Sequence, residues 1–476
     1  MQSLKYCKLP LYRDYFSDNL KNATTNIEKL IIGVYSPDDI KQLFCHIPKI
    51  RSLKIRLYRE SLRLHEEPCT VDAASRLNSM VVVQHLTRFT LDMKGHYEPF
   101  SEIVAILKYL PQLKQFSFSS IGFYWTTHSI LDGDFWENIL STCVPTLEKF
   151  SFSIRFRVRY EKPEEVIANM DTILSTFKTN YYYSHKWYFI CDYYSEAESV
   201  TWFSVYTIPC PFAYVNIQYD TLRSSSTIPL NFSSLGNYDK IDSLVIVTPT
   251  TNQIPESRQY PNVYRLGIHR FGMKLRPLPL TLSATFLADL SKLILWSNLT
   301  KLSVLENLDP RIIFEILTRS VNVDSLEIEY DIFEKYLLSF PELCSLMNKM
   351  LKKLKLVVND GDFNPDVVEI FCEQFSNIQF FYINIKTINE IYIILPVLLE
   401  KLLHLTYLRT YSADIKMFHL NHDILSWLRE KTHLAKEWIV SYTDHLYDEY
   451  ITTLSHLSSI KTFKNKKRSV RWKAIM

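Results

Sequence analysis

The sequence predicts an α/β solenoid in which parallel strands alternate with helices. Three observations predict it: a short apolar motif recurs at a nearly constant interval, helix-start signals lie between its copies, and only 8 of the 476 residues are glycine. Each motif can supply one strand, and a helix can return the chain to begin the next parallel strand. Scarce glycine disfavours tight hairpins and phosphate-cradling loops. The chain is therefore expected to be one repeat architecture.

The motif reads apolar, two free positions, apolar, one free position, apolar. In its most regular stretch the starts are 24, 28, 27 and 27 residues apart, close to the period of leucine-rich repeats, about 20–29 residues. We therefore expect a leucine-rich-repeat-like horseshoe with its strands on the concave face and its helices on the convex face. The regular copies start at Leu299, Val323, Leu351, Ile378 and Leu405. Looser copies start at Ile27, Ile50, Leu86, Leu113, Leu147, Ile241 and Val263.

Helix-start signals fall between the motifs. Ser36-Pro37, Asp309-Pro310 and Asn364-Pro365 each place a capping side chain before a proline at the first helical position. Apolar residues follow at three-to-four spacing, which predicts helices that cover the inner side of the strands.

The repeats define the expected organisation, a single solenoid over 1–476 with an irregular aromatic insert in its middle. Its parts are an N-terminal cap (1–26), irregular repeats (27–178), the insert (179–240), more regular repeats (241–410), and a C-terminal cap with a basic tail (411–476). Six lysines and arginines within 464–473 are either a solvated end, a phosphate-binding patch or a nuclear import signal.

The insert is aromatic, with eleven aromatic residues between Tyr181 and Tyr206. Bulky aromatics either fill an irregular core or form a binding hot spot. On the second interpretation Trp187, Tyr188 and Trp202 contact a partner.

Strand alternation predicts which side chains face a partner. Motif positions one, four and six are expected in the core, and positions two, three, five and seven on the concave face. Glu327 and Lys355, both at position five of successive repeats, should neutralise each other. Amphipathic side chains dominate protein interfaces. The predicted contact residues are Tyr264, Arg265, His269, Tyr382, Arg409 and Tyr411.

The search for chemistry is negative. G-x-G, G-K-[ST], G-x-S-x-G, H-E-x-x-H and C-x-x-C motifs are absent. His419, His422 and Asp423 form a local cluster that is either a helix start or part of a metal site, and we favour the helix start. The prediction is no catalytic residue, no metal and no cofactor.

Composition indicates an intracellular protein, cytoplasmic or nuclear. The first 22 residues are polar, and the apolar stretch from Ile391 to Leu405 contains Pro396 and two charges, so no leader or membrane span is expected. The eight cysteines lack close pairs, as is typical of reduced thiols. A net charge of +3 is too small to favour nucleic acid.

The repeats resemble those of F-box/leucine-rich-repeat proteins. The copies that carry the resemblance are Leu113-Lys-Gln-Phe-Ser-Phe118, Leu147-Glu-Lys-Phe-Ser-Phe152 and Leu351-Lys-Lys-Leu-Lys-Leu356. The resemblance implies a substrate receptor of a cullin-type ubiquitin ligase, in which an F-box binds the adaptor and the repeats bind the substrate. Because only 26 residues precede Ile27, no F-box is recognisable, and adaptor binding is expected only if one lies outside this chain.

The functional prediction is a non-catalytic protein-interaction module with a protein partner on the concave face. A scaffold or inhibitor-like protein without a ligase link is the alternative. An enzyme whose site uses His185 and Asp192 in the aromatic insert is the remaining hypothesis.

Overall fold

A computed structural model of the chain is α/β and divides into two compact units. The first comprises 1–213 and 220–240, and the second comprises 214–219 and 241–476. The structure describes residues 5–8, 26–34, 37–58, 82–94, 100–122, 128–159, 163–197, 200–211, 214–218, 223–229, 238–248, 258–270, 286–305, 307–334, 339–357, 365–384, 388–412, 438–445 and 449–456.

The first unit contains a mixed sheet that begins with six parallel strands. These are β1 (Tyr6–Lys8), β2 (Lys29–Val34), β3 (Ser52–Tyr58), β4 (Arg88–Lys94), β5 (Gln115–Gly122) and β6 (Lys149–Arg159). Three antiparallel strands complete it: β7 (Tyr188–Ala197), β8 (Val200–Ile208) and β10 (Arg223–Ser226). The strand order is β1-β2-β3-β4-β5-β6-β8-β7-β10.

The second unit contains a sheet with a longer parallel run. Its parallel strands are β9 (Tyr214–Gln218), β11 (Ser243–Thr248), β12 (Arg265–Arg270), β13 (Lys301–Leu305), β14 (Ser325–Glu329), β15 (Lys353–Val357), β16 (Phe380–Asn384) and β17 (Tyr407–Ser412). An antiparallel pair follows, β18 (Trp438–His445) and β19 (Glu449–His456), with β19 next to β17.

Helices lie between the strands in the chain. In the first unit they are α1 (Pro37–His46), α2 (Phe100–Leu107), α3 (Gly133–Cys143), α4 (Pro163–Thr176) and α5 (Asn180–His185). In the second they are α6 (Phe286–Leu293), α7 (Pro310–Arg319), α8 (Tyr330–Ile332), α9 (Pro341–Met350), α10 (Pro365–Gln374) and α11 (Ile388–Lys401). The predicted proline starts of α1, α7 and α10 are confirmed, and the Asp309 carboxylate caps α7 by accepting from Arg311 N at 2.9 Å.

Every copy of the motif forms a strand, and the copies pair in the register that the motif predicts. Position four of one strand pairs with position four of the next, as Leu302 does with Leu326 and Leu326 with Leu354. The looser copies obey the same rule, since Phe89 pairs with Phe116 and Phe116 with Phe150. Positions four and six are buried in both units, as expected for side chains that alternate across a sheet.

The turn that enters each strand is tied to the previous repeat. Two successive amides donate to one carbonyl of the preceding turn; Thr300 N and Lys301 N both donate to Tyr264 O at 2.9 Å. The residue immediately before a motif adds a side-chain bond. Asn298 Nδ2 donates to Pro261 O at 2.9 Å, and Asn322 Nδ2 to Ser297 O at 2.7 Å. Each repeat is therefore bonded to its neighbour at the strand entrance.

The aromatic insert ends the parallel run of the first sheet. Its strands β7 and β8 form an antiparallel pair against β6, while β9 begins a second sheet. The described strands thus form two sheets. Parallel pairing cannot continue past β6 because β8 runs in the opposite direction and occupies its free edge.

Candidate protein-binding face

The candidate site is one face of the second sheet, here called the polar face. Motif positions three, five and seven lie on it, and the opposite face carries the buried positions four and six. Position two, also predicted to lie on this face, comes immediately before each motif strand instead of within it. Pairing aligns position five across neighbouring strands, so that Ser303 pairs with Glu327, Glu327 with Lys355, and Lys355 with Tyr382. The residues between β14 and β17 whose side chains are described are half-buried on this face.

Glu327 is the centre of a charged network on the polar face. Lys355 Nζ donates to Oε1 at 2.6 Å, Ser303 Oγ donates to Oε2 at 3.1 Å, and Arg265 Nη2 lies 3.4 Å from Oε2. The predicted Glu327–Lys355 neutralisation is confirmed. Because Ser303 is small, the Arg265 side chain reaches from β12 to β14 across β13.

This network keeps Glu327 charged. Burial alone would raise the pKa of its carboxyl, but the hydrogen bond and charge of Lys355, the Ser303 hydroxyl and the charge of Arg265 together lower it below the usual value. The carboxylate is only 17% exposed, whereas the side chains of Lys355 and Arg265 are 41% and 47% exposed. The network therefore covers its anion and leaves its cations accessible.

His269 lies at the edge of this network, over a glycine. A Cβ at Gly267 would lie 3.0 Å from His269 Nε2 and 2.7 Å from Val245 Cγ2, so glycine makes room for the imidazole. His269 Nε2 lies 3.2 Å from Ser303 Oγ. Burial lowers the pKa of His269 and is the largest effect. The charge of Glu327 raises that pKa, and the charge of Arg265 lowers it. The ring is therefore neutral at pH 7.

Serine, histidine and carboxylate are in the wrong order here for nucleophilic catalysis. Ser303 donates its single proton to Glu327, so His269 Nε2–H must donate to the hydroxyl. An activated serine would instead donate to the imidazole, with the acid on the far side of the ring. In this arrangement Glu327, and not His269, accepts the Ser303 proton.

Other chemistry receives no support from the described residues. Burial raises the pKa of Cys344 to about 11 and that of Cys372 to about 12, so neither is a thiolate at neutral pH. Within the described ranges, no three His, Cys, Asp or Glu residues converge as metal ligands would. The cluster at His419, His422 and Asp423 and the basic tail at 464–473 lie outside the described residues.

Three rings form an aromatic group toward the end of the polar face. The Tyr382 and Phe380 rings on β16 lie 5.6 and 6.0 Å from the Tyr407 ring on β17. Arg409 pairs with Tyr382, and Tyr411 with Asn384, which places both at the predicted register on β17. Sequence reasoning missed Phe380 and Tyr407 because in the regular repeats it selected contact residues only from positions five and seven, whereas both are at position three.

Of the upstream predicted residues, Tyr264 comes immediately before β12, Arg265 is its first residue and His269 is near its end. Tyr264 is exposed, and Lys301 Nζ lies 5.4 Å from its ring centroid. Arg265 and His269 belong to the Glu327 network. The structure therefore brings Arg265 and His269 together with Glu327, and the group formed by Tyr382 and Arg409 lies farther along the same face.

The predicted contact residues of the aromatic insert are buried. Trp187 and Trp202 are each 6% exposed and Tyr188 is 9% exposed, which leaves them little surface for a partner. Trp187 packs 5.5 Å from Phe150, and the Arg155 guanidinium lies 4.6 Å above Trp202. The structure thus favours the core interpretation of the insert, and these residues do not enter the candidate site.

The residues of the enzyme hypothesis do not converge either. His185 Nδ1 lies 2.8 Å from the Tyr181 carbonyl, and the ring stacks on Trp187 at 4.4 Å. Asp192 is buried and accepts from the Tyr206 hydroxyl at 2.8 Å. His185 is exposed on α5, whereas Asp192 lies within β7.

Comparison with known proteins identifies no family for this chain. No family model and no curated protein matches this chain. Among solved structures, it is similar to the leucine-rich repeat-containing protein LegL7 from Legionella pneumophila, with 13% identity, a TM-score of 0.26, and coverage of 78% of this chain and 97% of that chain. A TM-score this low does not establish a common fold. None of the described helices is both long and apolar enough to cross a membrane.

Proposed function

We propose that this chain is a non-catalytic protein-interaction module of leucine-rich-repeat type whose partner binds the polar face of the second unit. The observation that carries the proposal is the in-register row of half-buried polar and aromatic side chains, from Glu327 through Lys355 to Tyr382, on the face opposite the apolar core. A parallel ladder with one face in the core offers such a row for contact. Tyrosine and arginine, which dominate interface energetics, stand side by side at Tyr382 and Arg409.

The test is affinity purification of the full chain with mass spectrometry, comparing wild type with Tyr382→Ala/Arg409→Ala. If the pair is a hot spot, the double variant loses roughly 30-fold in affinity, about 2 kcal/mol, and the principal captured protein is depleted. The matched control is Tyr183→Ala/Arg311→Ala, which removes an exposed tyrosine and an exposed arginine elsewhere. Equal recovery by the wild type and the Tyr382/Arg409 variant would contradict the proposed face.

The ligase role is a finer hypothesis that rests on the F-box resemblance alone. In the same purification, recovery of a cullin and its adaptor would support a substrate receptor. A partner recovered without them would favour a scaffold or inhibitor. An intracellular setting, cytoplasmic or nuclear, is part of the proposal and is tested by locating the tagged chain in cells.

A further inference from the structure

The aromatic group of the polar face is flanked by cations in register. Lys353 pairs with Phe380, and Lys355 pairs with Tyr382, on the β15 side. Lys353 Nζ lies 5.5 Å from the Phe380 ring centroid. On the β17 side, Arg409 pairs with Tyr382. Basic residues therefore occupy the paired positions on both strands next to β16.

The charge of the polar face is asymmetric. At positions three, five and seven of β12 to β17, the residues include five cations and two anions. The cations are Arg265, Lys301, Lys353, Lys355 and Arg409, and the anions are Glu327 and Glu329. The β19 positions that pair with Tyr407, Arg409 and Tyr411 are Ser455, Thr453 and Ile451, which add no charge.

Burial increases this asymmetry at the surface that a partner meets. Glu327 is enclosed by three donors, while Lys353 is 37% exposed and its acidic neighbour Asp324 is 3.8 Å away. A salt bridge at that distance and exposure is worth less than about 1 kcal/mol, so a better-placed carboxylate can replace it. Lys353 and Lys355, the cations beside the aromatic group, are therefore more exposed than the Glu327 carboxylate.

Building on the proposed function, we propose that the partner contributes an acidic segment, with carboxylates toward Lys353, Lys355 and Arg409 and an apolar side chain on the rings of Phe380, Tyr382 and Tyr407. Opposite charge steers association and selects the partner. The aromatic rings supply the desolvated centre of the contact, and the lysines its rim. A basic partner is disfavoured because it would meet exposed cations.

The experiment pans random peptides displayed on phage against the full chain and measures the recovered peptides by fluorescence anisotropy. Peptides that bind the polar face should be enriched in Asp and Glu and should carry at least one large apolar residue. Lys353→Glu should weaken them about tenfold, and added salt should weaken wild-type binding. The matched control is Lys352→Glu, the same charge change at an exposed position two that lies outside the rows of the polar face; it should change affinity less than about twofold.

The outcomes distinguish a failure of the acidic-segment inference from a failure of the proposed function. Peptides that are sensitive to Tyr382→Ala but carry no acidic enrichment would overturn the acidic-segment inference and leave the proposed face intact. Peptides that ignore Tyr382→Ala would contradict the proposed function itself. If Lys352→Glu and Lys353→Glu weakened binding equally, net charge alone would explain the effect and the inference would be overturned. Tighter binding of single-stranded oligothymidine than of any selected peptide would also overturn it. Thermal unfolding of each variant shows whether a loss reflects misfolding.

Discussion

Gly133→Ala is the sharpest test of the packing, because two well-known effects predict opposite signs. Gly133 is the first residue of α3, after the cap Asp132, whose carboxylate accepts from Asp134 N at 3.0 Å. By helix propensity alone, alanine should stabilise this position by up to about 1 kcal/mol. The structure predicts the reverse, since a Cβ here would overlap the backbone of the segment that ends α4.

The size of the expected destabilisation follows from the atoms that the added Cβ would contact. It would overlap the Thr176 carbonyl oxygen and lie 2.5 Å from Thr176 C and 2.7 Å from Phe177 N. These are backbone atoms, so no side-chain rotation relieves the overlap. Separation of the segments would also strain the bond from Gly133 N to Thr176 Oγ1 (2.7 Å) and the buried bond from Tyr182 Oη to Gly133 O (2.6 Å). Overpacking and one weakened buried bond cost about 3 kcal/mol together, so a net loss of about 2 kcal/mol is expected.

The assay is urea unfolding of the full chain, followed by tryptophan fluorescence. A loss of about 2 kcal/mol lowers the midpoint of the first unit's transition by about 1 M at a slope near 2 kcal/mol/M. Asn138→Ala, at an exposed position of the same helix, is the control and should match or slightly exceed wild type. A Gly133→Ala midpoint at or above that of wild type would refute the packing argument.

Two further variants test the polar face and the repeat junctions. Glu327→Gln removes the charge that holds Lys355 and Arg265, and it should lower the free energy of unfolding by about 1 kcal/mol at pH 7. The pKa of Glu327 is lower in the folded state than in the unfolded state. The stabilisation by the carboxylate is therefore present above the unfolded pKa of about 4.3 and is lost as the pH falls through the folded pKa. Urea titrations at several pH values should therefore show the largest difference in stability between variant and wild type near neutral pH, and the smallest in acid. A difference that does not change with pH would contradict this. Asn322→Ala removes the 2.7 Å bond to Ser297 O and should cost about 1 kcal/mol, whereas Thr318→Ala, on the exposed side of α7, should cost less in the same unfolding assay.

The apolar motif predicts much of this fold because side-chain alternation and register are local properties. Once Leu302 and Leu326 are assigned to the core, Ser303 and Glu327 must pair on the other face. That reasoning extends to the loosest copies, such as the one at Ile27, whose strand β2 pairs with β3 in the predicted register. The antiparallel pairing of β6 with β8 depends on contacts between distant segments, and an alternating apolar pattern suits either strand direction.

The side-chain contacts were harder to predict because they depend on reach and rotamer. Adjacency predicted the Glu327–Lys355 pair, but Arg265 reaches Glu327 only because small Ser303 stands between them. Asn307, eight residues after the motif start at Leu299, has a buried Oδ1 that meets no donor among the described residues. Asn298, Asn322 and Asn377 each come one residue before a motif, and each donates from its side-chain amide to a carbonyl of the previous repeat.

The tied strand entrances determine where this chain can change length. Five entrances, between α1 and β3, α3 and β6, α7 and β14, α10 and β16, and α11 and β17, are five residues long, whereas that between α2 and β5 is seven and that between α9 and β15 is two. Along the sequence, the distance from a strand end to the next described helix varies from no residue between β14 and α8 to fifteen residues between β12 and α6. An insertion at an entrance would break the amide pair that bonds one repeat to the next, whereas an exit has accommodated very different lengths. Divergence of this protein, and the insertion of an epitope or sensor into it, should therefore be tolerated better at the strand exits than at the entrances.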